Sequence, residues 1–429
     1  MLSSGEPPTS CDFCPAADSV CTGVSKAEQC RPDYDIMNSV SLTTKTSSSP
    51  LRGLQELGQS IWLDYIGRHL ITSGELRRLV ETGGITGVTA NPSIFEKAIL
   101  DGTDYDDALD ALVQLGFRDD KAVYEALAIS DIQDAADILR PIYDRTQGRE
   151  GFVSLEVSPL IAHDTRRTIL EARRLWARIG RDNTMIKVPG TPEGVPAVRQ
   201  LTEDGINVNI TLLFSLAAYE AVAEAYLAGL EKRVAHGHDV SHVVSVASFF
   251  VSRIDTAVDT LLANRLKNAS NSGEAPLLAS LLGKVAIANA KLAYQWYQYF
   301  IATDRWTALA ARGARTQRLL WASTSTKNPQ YRDVLYVEEL IGTDTINTVT
   351  PATLDAFRDH GRPRSSLTEG VTEAHETMGA LARAGISIDA VTAQVLDNGI
   401  QMFVKAFDNL LGAIHLKMTT IVSGESDGA

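Results

Sequence analysis

Short apolar runs alternate with longer amphipathic segments over most of this 429-residue chain. Such short runs, bounded by turn residues, are typical of buried parallel strands. The candidate strands are Ile61–Ile66, Gly84–Pro92, Gly151–Ser158, Thr184–Val188, Asn207–Leu213, Val243–Val251, Arg318–Ser323 and Asn347–Pro351. Strands that alternate with helices over such a length predict an α/β protein with a (β/α)8 TIM barrel.

The segments between these strands have the spacing of helices. In Thr165–Ile179 the apolar residues Ile169, Leu175 and Ile179 fall near one side and the arginines on the other. Leu216–Leu230 and Leu277–Tyr299 are also predicted to be helical. A doubly wound sheet is the alternative fold, but no glycine-rich dinucleotide fingerprint follows the first strand.

The two ends of the chain differ in composition from the barrel. Residues 1–50 are rich in Ser, Thr and Pro without sustained periodicity, which predicts a disordered N-terminal extension. The barrel is assigned to residues 51–360. The run GRPRSS then begins a C-terminal extension over residues 361–429. Helical patterns at Leu367–Arg383 and Ala390–Leu416 predict that this extension packs on the barrel as helices.

Charge and hydropathy narrow the range of partners. The chain has 40 Lys and Arg against 53 Asp and Glu, a net charge of −13, which argues against general nucleic-acid binding. No stretch approaches the roughly 20 consecutive apolar residues that span a bilayer. The N-terminus lacks the basic start and apolar core of a secretory signal, so we expect a cytoplasmic protein without a membrane partner. A local basic pocket for a small phosphate remains compatible with this charge.

The four cysteines, Cys11, Cys14, Cys21 and Cys30, all lie near the N-terminus. Cys11 and Cys14 have the spacing of half a zinc site, but Cys21 and Cys30 do not match the usual short ligand pairs. We therefore favour a tail with reduced thiols over a zinc module, and expect neither a metal nor another cofactor in the barrel.

The fourth predicted strand contains a lysine, Lys187, inside an apolar run. Removal from water disfavours the charged form of an ammonium group. A neutral amine is a nucleophile that condenses with a ketone to give a Schiff base. Taken alone, Lys187 fits a salt-bridged strand end about equally well.

Polar residues also lie at the C-terminal ends of the neighbouring strands, where a TIM barrel has its active site. They are Asp64, Thr89, Asn91, Glu156, Asn209 and Thr211. Each one alone is more often a turn or helix cap. With Lys187 included, five consecutive strands each carry at least one such polar residue, which is harder to explain by coincidence. Together they supply an amine, proton carriers and hydrogen-bonding groups, which is what Schiff-base carbon–carbon chemistry requires.

Several runs resemble the transaldolases, class I (Schiff-base) aldolase-type enzymes with a (β/α)8 barrel. The matching runs are GVTANPSIF at 87–95, SLEVSP at 154–159, MIKVPGTPEG at 185–194, INVNITLLFS at 206–215, SVASFFVSRID at 245–255 and LLWASTSTKN at 319–328. The run QSIWLDYI and the C-terminal extension are similar to the longer bacterial and plant-type members. The resemblance covers about residues 50–415 and leaves the N-terminal cysteines unexplained.

The resemblance implies a catalytic role for each matching position. Lys187 is implied to attack the C2 ketone of a ketose phosphate, and Asp64 to take the proton of the C4 hydroxyl. Glu156 is implied to shuttle protons through a water that Thr211 orients. The residues implied to bind the dihydroxyacetone unit are Asn91 and Asn209, with Thr89 in support.

For the substrate phosphate the resemblance implies Ser248 and Arg253. An arginine offers a bidentate fork to phosphate oxygens, whereas the plain alternative for Arg253 is a charge on a helix surface. Shorter transaldolases have an arginine two residues after the serine of strand seven. Here Ser323 begins the run Ser-Thr-Ser, so that arginine is absent, and Lys327 is our candidate to replace it as a point charge.

The activity implied is transfer of dihydroxyacetone, in the non-oxidative pentose phosphate pathway. The donor would be sedoheptulose 7-phosphate or fructose 6-phosphate, and the acceptor glyceraldehyde 3-phosphate or erythrose 4-phosphate. The alternative is a fructose-6-phosphate aldolase-type lyase that releases free dihydroxyacetone. Those relatives are shorter and have a glutamine where this chain has Glu156, so transfer is favoured. A third hypothesis is a non-catalytic barrel serving the N-terminal cysteines. The expected partners are sugar phosphates, and a homodimer is left open.

Overall fold

A computed structural model describes residues 49–100, 102–268 and 274–426 of the chain. Eight parallel strands form a closed barrel in sequence order, with the last strand paired to the first. The strands are β1 (Gln59–Leu63), β2 (Ile85–Val88), β3 (Phe152–Glu156), β4 (Thr184–Pro189), β5 (Val208–Leu213), β6 (Ser245–Phe250), β7 (Arg318–Ala322) and β8 (Thr345–Val349). Each overlaps its predicted strand, so the prediction of a (β/α)8 barrel is confirmed.

Helices cover the outside of the barrel, so the residues of its strands are almost all buried. The described helices are α1 (Pro50–Glu56), α2 (Arg68–Thr72), α3 (Glu75–Glu81), α4 (Pro92–Leu100), α5 (Asp106–Gln114), α6 (Asp120–Arg145), α7 (Thr165–Ile179), α8 (Gly194–Asp204), α9 (Leu216–Ala235), α10 (Ser252–Asn268), α11 (Ala275–Leu281), α12 (Val285–Phe300), α13 (Asp304–Ala310), α14 (Leu335–Glu339), α15 (Pro351–His360), α16 (Val371–Arg383) and α17 (Ile388–Ser426).

One predicted helix is wrong. The segment Leu277–Tyr299 was predicted to be continuous, but the structure divides it into α11 and α12. Gly283, between them, has φ +68°, a left-handed conformation that glycine adopts without steric cost. The apolar pattern runs through this break, so the periodicity alone does not reveal it.

Four predicted strands extend two or more residues past the observed C-terminal ends of β1, β2, β3 and β8, and two of these overruns have a clear cause. β2 ends at Val88, and Asn91 instead caps α4, with its Oδ1 accepting a hydrogen bond of 3.1 Å from the Ile94 N–H. The predicted strand Asn347–Pro351 continues too far because Pro351 begins α15. Proline is favoured in the first turn of a helix, where its missing N–H has no partner to lose.

The C-terminal extension packs on the barrel as predicted. Residues 361–366 are irregular, and α16 then packs against α12. The long helix α17 contacts α4, α5, α6, α10 and β5. The predicted disordered extension carries the four cysteines. Its residues 1–48 lie outside the described residues.

Among the described helices, none alone combines the length and hydropathy needed to span a membrane. The pair α11 and α12 meets both criteria when joined, but the two helices meet at an angle of 59°.

Candidate active site

A cavity of about 180 Å³ lies at the C-terminal end of the barrel. It brings together most of the residues that the sequence predicts for a site. Those that line it are Asp64, Thr89, Asn91, Lys187, Ser248, Arg253, Ser323 and Lys327. Glu156, Asn209 and Thr211 do not line this cavity and are buried in the adjoining strands.

Lys187 lies deep in this end of the barrel, with only 4% of its surface exposed. Parallel pairing sets it level with Glu156 on β3 and Asn209 on β5. Its Nζ donates a hydrogen bond of 3.1 Å to the Ala90 carbonyl and lies 3.4 Å from Glu156 Oε2. The amine is therefore held at the edge of the cavity with a carboxylate beside it.

Glu156 is buried without adequate hydrogen-bond donors. Neither of its carboxylate oxygens accepts a hydrogen bond from a described residue, and the buried Thr211 hydroxyl also has no partner. Burial raises the pKa of Glu156, the Lys187 charge opposes this, and Asp64 raises it further. Buried polar atoms of this kind are usually satisfied by an ordered water. These two unsatisfied groups are compatible with the proton shuttle through a water that the family resemblance implies.

Asp64 follows β1 directly and is partly exposed to the cavity. The Thr89 hydroxyl donates a hydrogen bond of 2.7 Å to Asp64 Oδ1 and lies 2.7 Å from the Thr348 hydroxyl. Burial by the surrounding protein raises the pKa of Asp64, with Lys187 and then Thr89 opposing it. A raised pKa makes the carboxylate a stronger base at neutral pH.

Asn209 is fixed by two serines in the barrel interior. Its amide group donates a hydrogen bond of 3.1 Å to Ser154 Oγ, and its Oδ1 accepts a hydrogen bond of 2.7 Å from Ser248 Oγ. Asn91 uses its oxygen to cap α4, and its side chain also lines the cavity. The structure therefore places Ser248 beside Asn209, whereas Arg253 lies five residues further on at the start of α10.

Arg253 and Lys327 are two cations at the mouth of the cavity, and the Asp64 carboxylate, which lines the same cavity, acts on the charge of both. Within the described residues neither forms a salt bridge, and the Lys327 ammonium donates instead to Ser325 Oγ at 2.9 Å. The Arg253 guanidinium lies 5.6 Å from the centre of the Phe250 ring. Burial and the Arg253 charge lower the pKa of Lys327, and burial lowers that of Arg253. Two neighbouring cations that form no salt bridge favour binding of an anion here.

Sequence reasoning missed several residues of the cavity wall. Phe403 reaches it from α17, and Thr348 and Thr350 reach it from β8 and its end. The threonines had a usable signal, since they alternate with Val349 in a predicted strand. Phe403 had none, because helical periodicity does not tell which side of the barrel α17 crosses.

Within the part of the chain that the structure describes, no three His, Cys, Asp or Glu side chains gather as metal ligands. The fold and the site together define a class: a (β/α)8 aldolase-type enzyme with a buried lysine beside two carboxylates. The sequence profile of the transaldolase/fructose-6-phosphate aldolase family matches residues 61–414. The chain belongs to this family.

Similar proteins match 85% of this chain and nearly their own full length. Transaldolase 2 of Nostoc sp. is 51% identical over 369 residues, which is 85% of this chain and 96% of that protein. The transaldolase of Thiobacillus denitrificans is 49% identical over 363 residues, 85% of this chain and 99% of that protein. The transaldolase of Trichodesmium erythraeum is 48% identical over 370 residues, covering 85% and 96%. These names support the predicted transferase rather than the lyase alternative.

Proposed function

We propose that this protein transfers a dihydroxyacetone unit from a ketose phosphate to an aldose phosphate through a Schiff base on Lys187. The donor is sedoheptulose 7-phosphate or fructose 6-phosphate, and the acceptor is glyceraldehyde 3-phosphate or erythrose 4-phosphate. One observation carries the proposal. The Lys187 amine is buried in the barrel 3.4 Å from Glu156 and faces a cavity that Asp64 also lines.

Formation of the Schiff base uses Lys187, Glu156 and Thr211. The neutral amine adds to the C2 ketone and gives a carbinolamine, whose hydroxyl group must leave as water. Glu156 supplies the proton for this departure through a water held by the Thr211 hydroxyl, and it takes a proton back when the imine is hydrolysed. The raised pKa of Glu156 suits this role because it keeps the protonated form accessible.

Cleavage uses Asp64 as the base. Asp64 takes the proton of the C4 hydroxyl, the C3–C4 bond breaks, and its electron pair passes to the iminium nitrogen to form an enamine. The aldose leaves and the three-carbon unit stays on Lys187. Addition of the enamine to a second aldehyde reverses these steps, with Asp64 returning the proton. Asn91 and Asn209 bind the hydroxyls of the retained unit, with Thr89 supporting Asp64.

The phosphate binds at the mouth of the cavity. Arg253 and Lys327 provide the positive charge, and Ser323 lines the same cavity. Ser248, which lines the same cavity, lies on the side of Asn209. A phosphate that bridges the two cations would relieve their mutual repulsion, which makes this end of the cavity selective for phosphorylated sugars.

The test is reduction by borohydride in the presence of fructose 6-phosphate, followed by peptide mass analysis. We expect a reduced three-carbon unit on Lys187 and no labelling or turnover in Lys187→Ala. Lys327→Ala is the matched control: it removes another lysine amine of the cavity and should still be labelled at high substrate concentration. Labelling of Lys187→Ala, or full turnover in that variant, would refute the proposal.

A further inference from the structure

The two cations at the mouth belong to different elements of the barrel. Arg253 is in the first turn of α10, after β6. Lys327 is in the segment of residues 323–334 between β7 and α14, hereafter the β7–α14 segment. Like charges repel, and Arg253 lowers the pKa of Lys327. Something other than the cations must therefore hold the two elements together.

The first connection lies at the start of the segment. The Ser252 N–H donates a hydrogen bond of 3.0 Å to the Ser323 carbonyl, and the two hydroxyls are 3.0 Å apart. Ser252 precedes Arg253 directly. Ser323 has φ +55°, an uncommon conformation for a residue other than glycine, which shows that its surroundings fix the backbone here.

The second connection lies near the other end of the segment. The Tyr331 hydroxyl donates a hydrogen bond of 2.6 Å to Asp259 Oδ2. The Gly283 N–H donates a second hydrogen bond, of 3.1 Å, to Asp259 Oδ1. The Tyr331 ring packs directly on Gly283, where a Cβ atom would lie 2.7 Å from Tyr331 Cζ. Asp259 is on α10, so this contact joins the segment to the helix that carries Arg253.

A tight turn connects Tyr331 to Lys327. Asn328 follows Lys327, and its Oδ1 accepts a hydrogen bond of 3.0 Å from the Gln330 N–H. The Asn328 carbonyl accepts a hydrogen bond of 3.1 Å from the Tyr331 N–H. The four-residue step from Lys327 to Tyr331 therefore has little freedom, and displacement of one residue moves the other.

From this arrangement we propose that Tyr331 and Asp259 are positioning residues for the phosphate of the substrate. Their hydrogen bond holds Lys327 at a fixed distance from Arg253, although neither residue contacts the substrate. The inference rests on the proposed function, since it requires that these two cations bind the phosphate. Loss of the bond frees one end of the segment and weakens phosphate binding, whereas the chemistry at Lys187 is unaffected.

The variant Tyr331→Phe removes the hydroxyl and keeps the ring on Gly283. We expect the KM for glyceraldehyde 3-phosphate to rise about fivefold, the effect of one lost hydrogen bond, with kcat unchanged. Inhibition by inorganic phosphate should weaken by the same factor, and kcat/KM for unphosphorylated glyceraldehyde should not change. Tyr299→Phe, the same change at a residue that is 70% exposed, is the control and should match the wild type. A fall in kcat with both aldehydes would overturn the inference.

A double-mutant cycle tests whether Tyr331 acts through Lys327. In the background of Lys327→Ala, we expect Tyr331→Phe to have no further effect on the KM for glyceraldehyde 3-phosphate. An undiminished effect there would refute the positioning role and leave the proposed function intact. If Lys327→Ala itself does not change this KM, the phosphate end of the proposed function fails, although borohydride labelling of Lys187 would still succeed. Asp259→Ala removes the same bond from the other side, together with the bond from the Gly283 N–H, and should raise this KM at least as much as Tyr331→Phe.

Discussion

Two buried glutamates lie at opposite ends of β3 and have opposite surroundings. Glu150, just before the strand, pairs with Arg318 at 2.6 Å and accepts hydrogen bonds from Ser60, Trp62 and Thr86. Glu156, the last residue of the strand, has Lys187 Nζ at 3.4 Å, and no other described residue donates to its carboxylate.

The pKa of each glutamate follows from this difference. Burial raises the pKa of both carboxyls. At Glu150 the Arg318 charge and the donors outweigh burial and hold the pKa below its ordinary value of 4.5. At Glu156 burial prevails over Lys187, and the pKa is raised. At the N-terminal end of the barrel, the closed end, the buried charge of Glu150 is thus paired and hydrogen-bonded. At the C-terminal end, the open end with the cavity, the charge of Glu156 is left poorly satisfied, as expected where a group must exchange protons.

The largest expected effect is on catalysis at the open end. Asp64→Asn keeps the shape of the side chain and removes the base, so kcat should fall by about 10²–10⁴. The imine should still form, because Asp64 acts after it. Borohydride labelling of Lys187 and the rate of release of the aldose measure the two steps separately.

The melting temperature is the control for this variant, and it should not fall. The Asp64 carboxylate is partly buried, and burial raises its pKa, so its neutral replacement removes a desolvation cost. Normal cleavage of fructose 6-phosphate by Asp64→Asn would exclude Asp64 as the base.

The second expected effect is a difference in stability between the glutamine variants of the two glutamates. Glu150→Gln leaves Arg318 buried without its counter-charge and should lower the free energy of unfolding by about 3 kcal/mol. Glu156→Gln should lower it much less, since the pair with Lys187 is longer, 3.4 Å, and no other donor is lost, but it should slow imine formation and hydrolysis. Denaturant unfolding and pre-steady-state labelling measure these quantities.

Each variant serves as the control of the other, because both make the same change on the same strand. Equal losses of stability in Glu150→Gln and Glu156→Gln would remove the distinction between the closed and open ends. Unchanged rates of imine formation in Glu156→Gln would remove Glu156 from the proton shuttle.

The third effect is the dependence of stability on pH. The raised pKa of Glu156 means that the folded state holds this proton more tightly, so its contribution to stability declines as pH rises above about 4.5. The lowered pKa of Glu150 gives the opposite sign, with stability present above about 4.5 and lost as pH falls below it. Each contribution is about 1.4 kcal/mol for every unit of pKa shift.

Melting temperatures of the wild type and of both glutamine variants, between about pH 2 and pH 8, measure this effect. As pH rises, the difference between wild type and Glu150→Gln should widen in favour of the wild type. The difference for Glu156→Gln should move in the opposite direction. Parallel curves for the two variants would contradict the assigned directions of the shifts.

The sequence predicts the charged residues of the open end better than those of the closed end. Lys187, Glu156 and Asp64 stand out because a charge inside an apolar strand is unusual, and parallel strands bring their C-terminal ends together. Glu150 and Arg318 lie at strand starts, where a charge is unremarkable. Their pairing joins two strands that are distant in the sequence, and no local pattern reveals such a contact.

The fold followed from the alternation of apolar runs and helices, but the limits of its elements did not. The ends of β2 and β8 depend on Asn91 and Pro351, whose preference for helix starts competes with the apolar pattern. The break at Gly283 depends on packing against Tyr331, which is distant in sequence. The position of Phe403 in the cavity likewise depends on where α17 crosses the barrel.

The smallest expected effect concerns this crossing of α17. Gly399 allows the helix to approach the barrel closely: a Cβ atom there would lie 3.1 Å from Leu212 Cδ2 and 3.4 Å from Arg253 Nη1. Leu212 has φ +61° and directly follows Thr211, so it has little room to yield. Gly399→Ala should displace the Arg253 guanidinium and raise the KM for sugar phosphates about twofold to threefold, equivalent to less than 1 kcal/mol.

Gly412→Ala is the matched control, because Gly412 lies on the same helix with no atom within 4 Å of its Cβ position. Alanine favours a helix over glycine by about 1 kcal/mol, so Gly412→Ala should raise the melting temperature slightly and leave KM unchanged. In Gly399→Ala the same gain should be offset by the close contacts. If Gly399→Ala and Gly412→Ala behave alike, α17 has room for a methyl group beside Arg253. In that case the helix does not hold the Arg253 guanidinium in place.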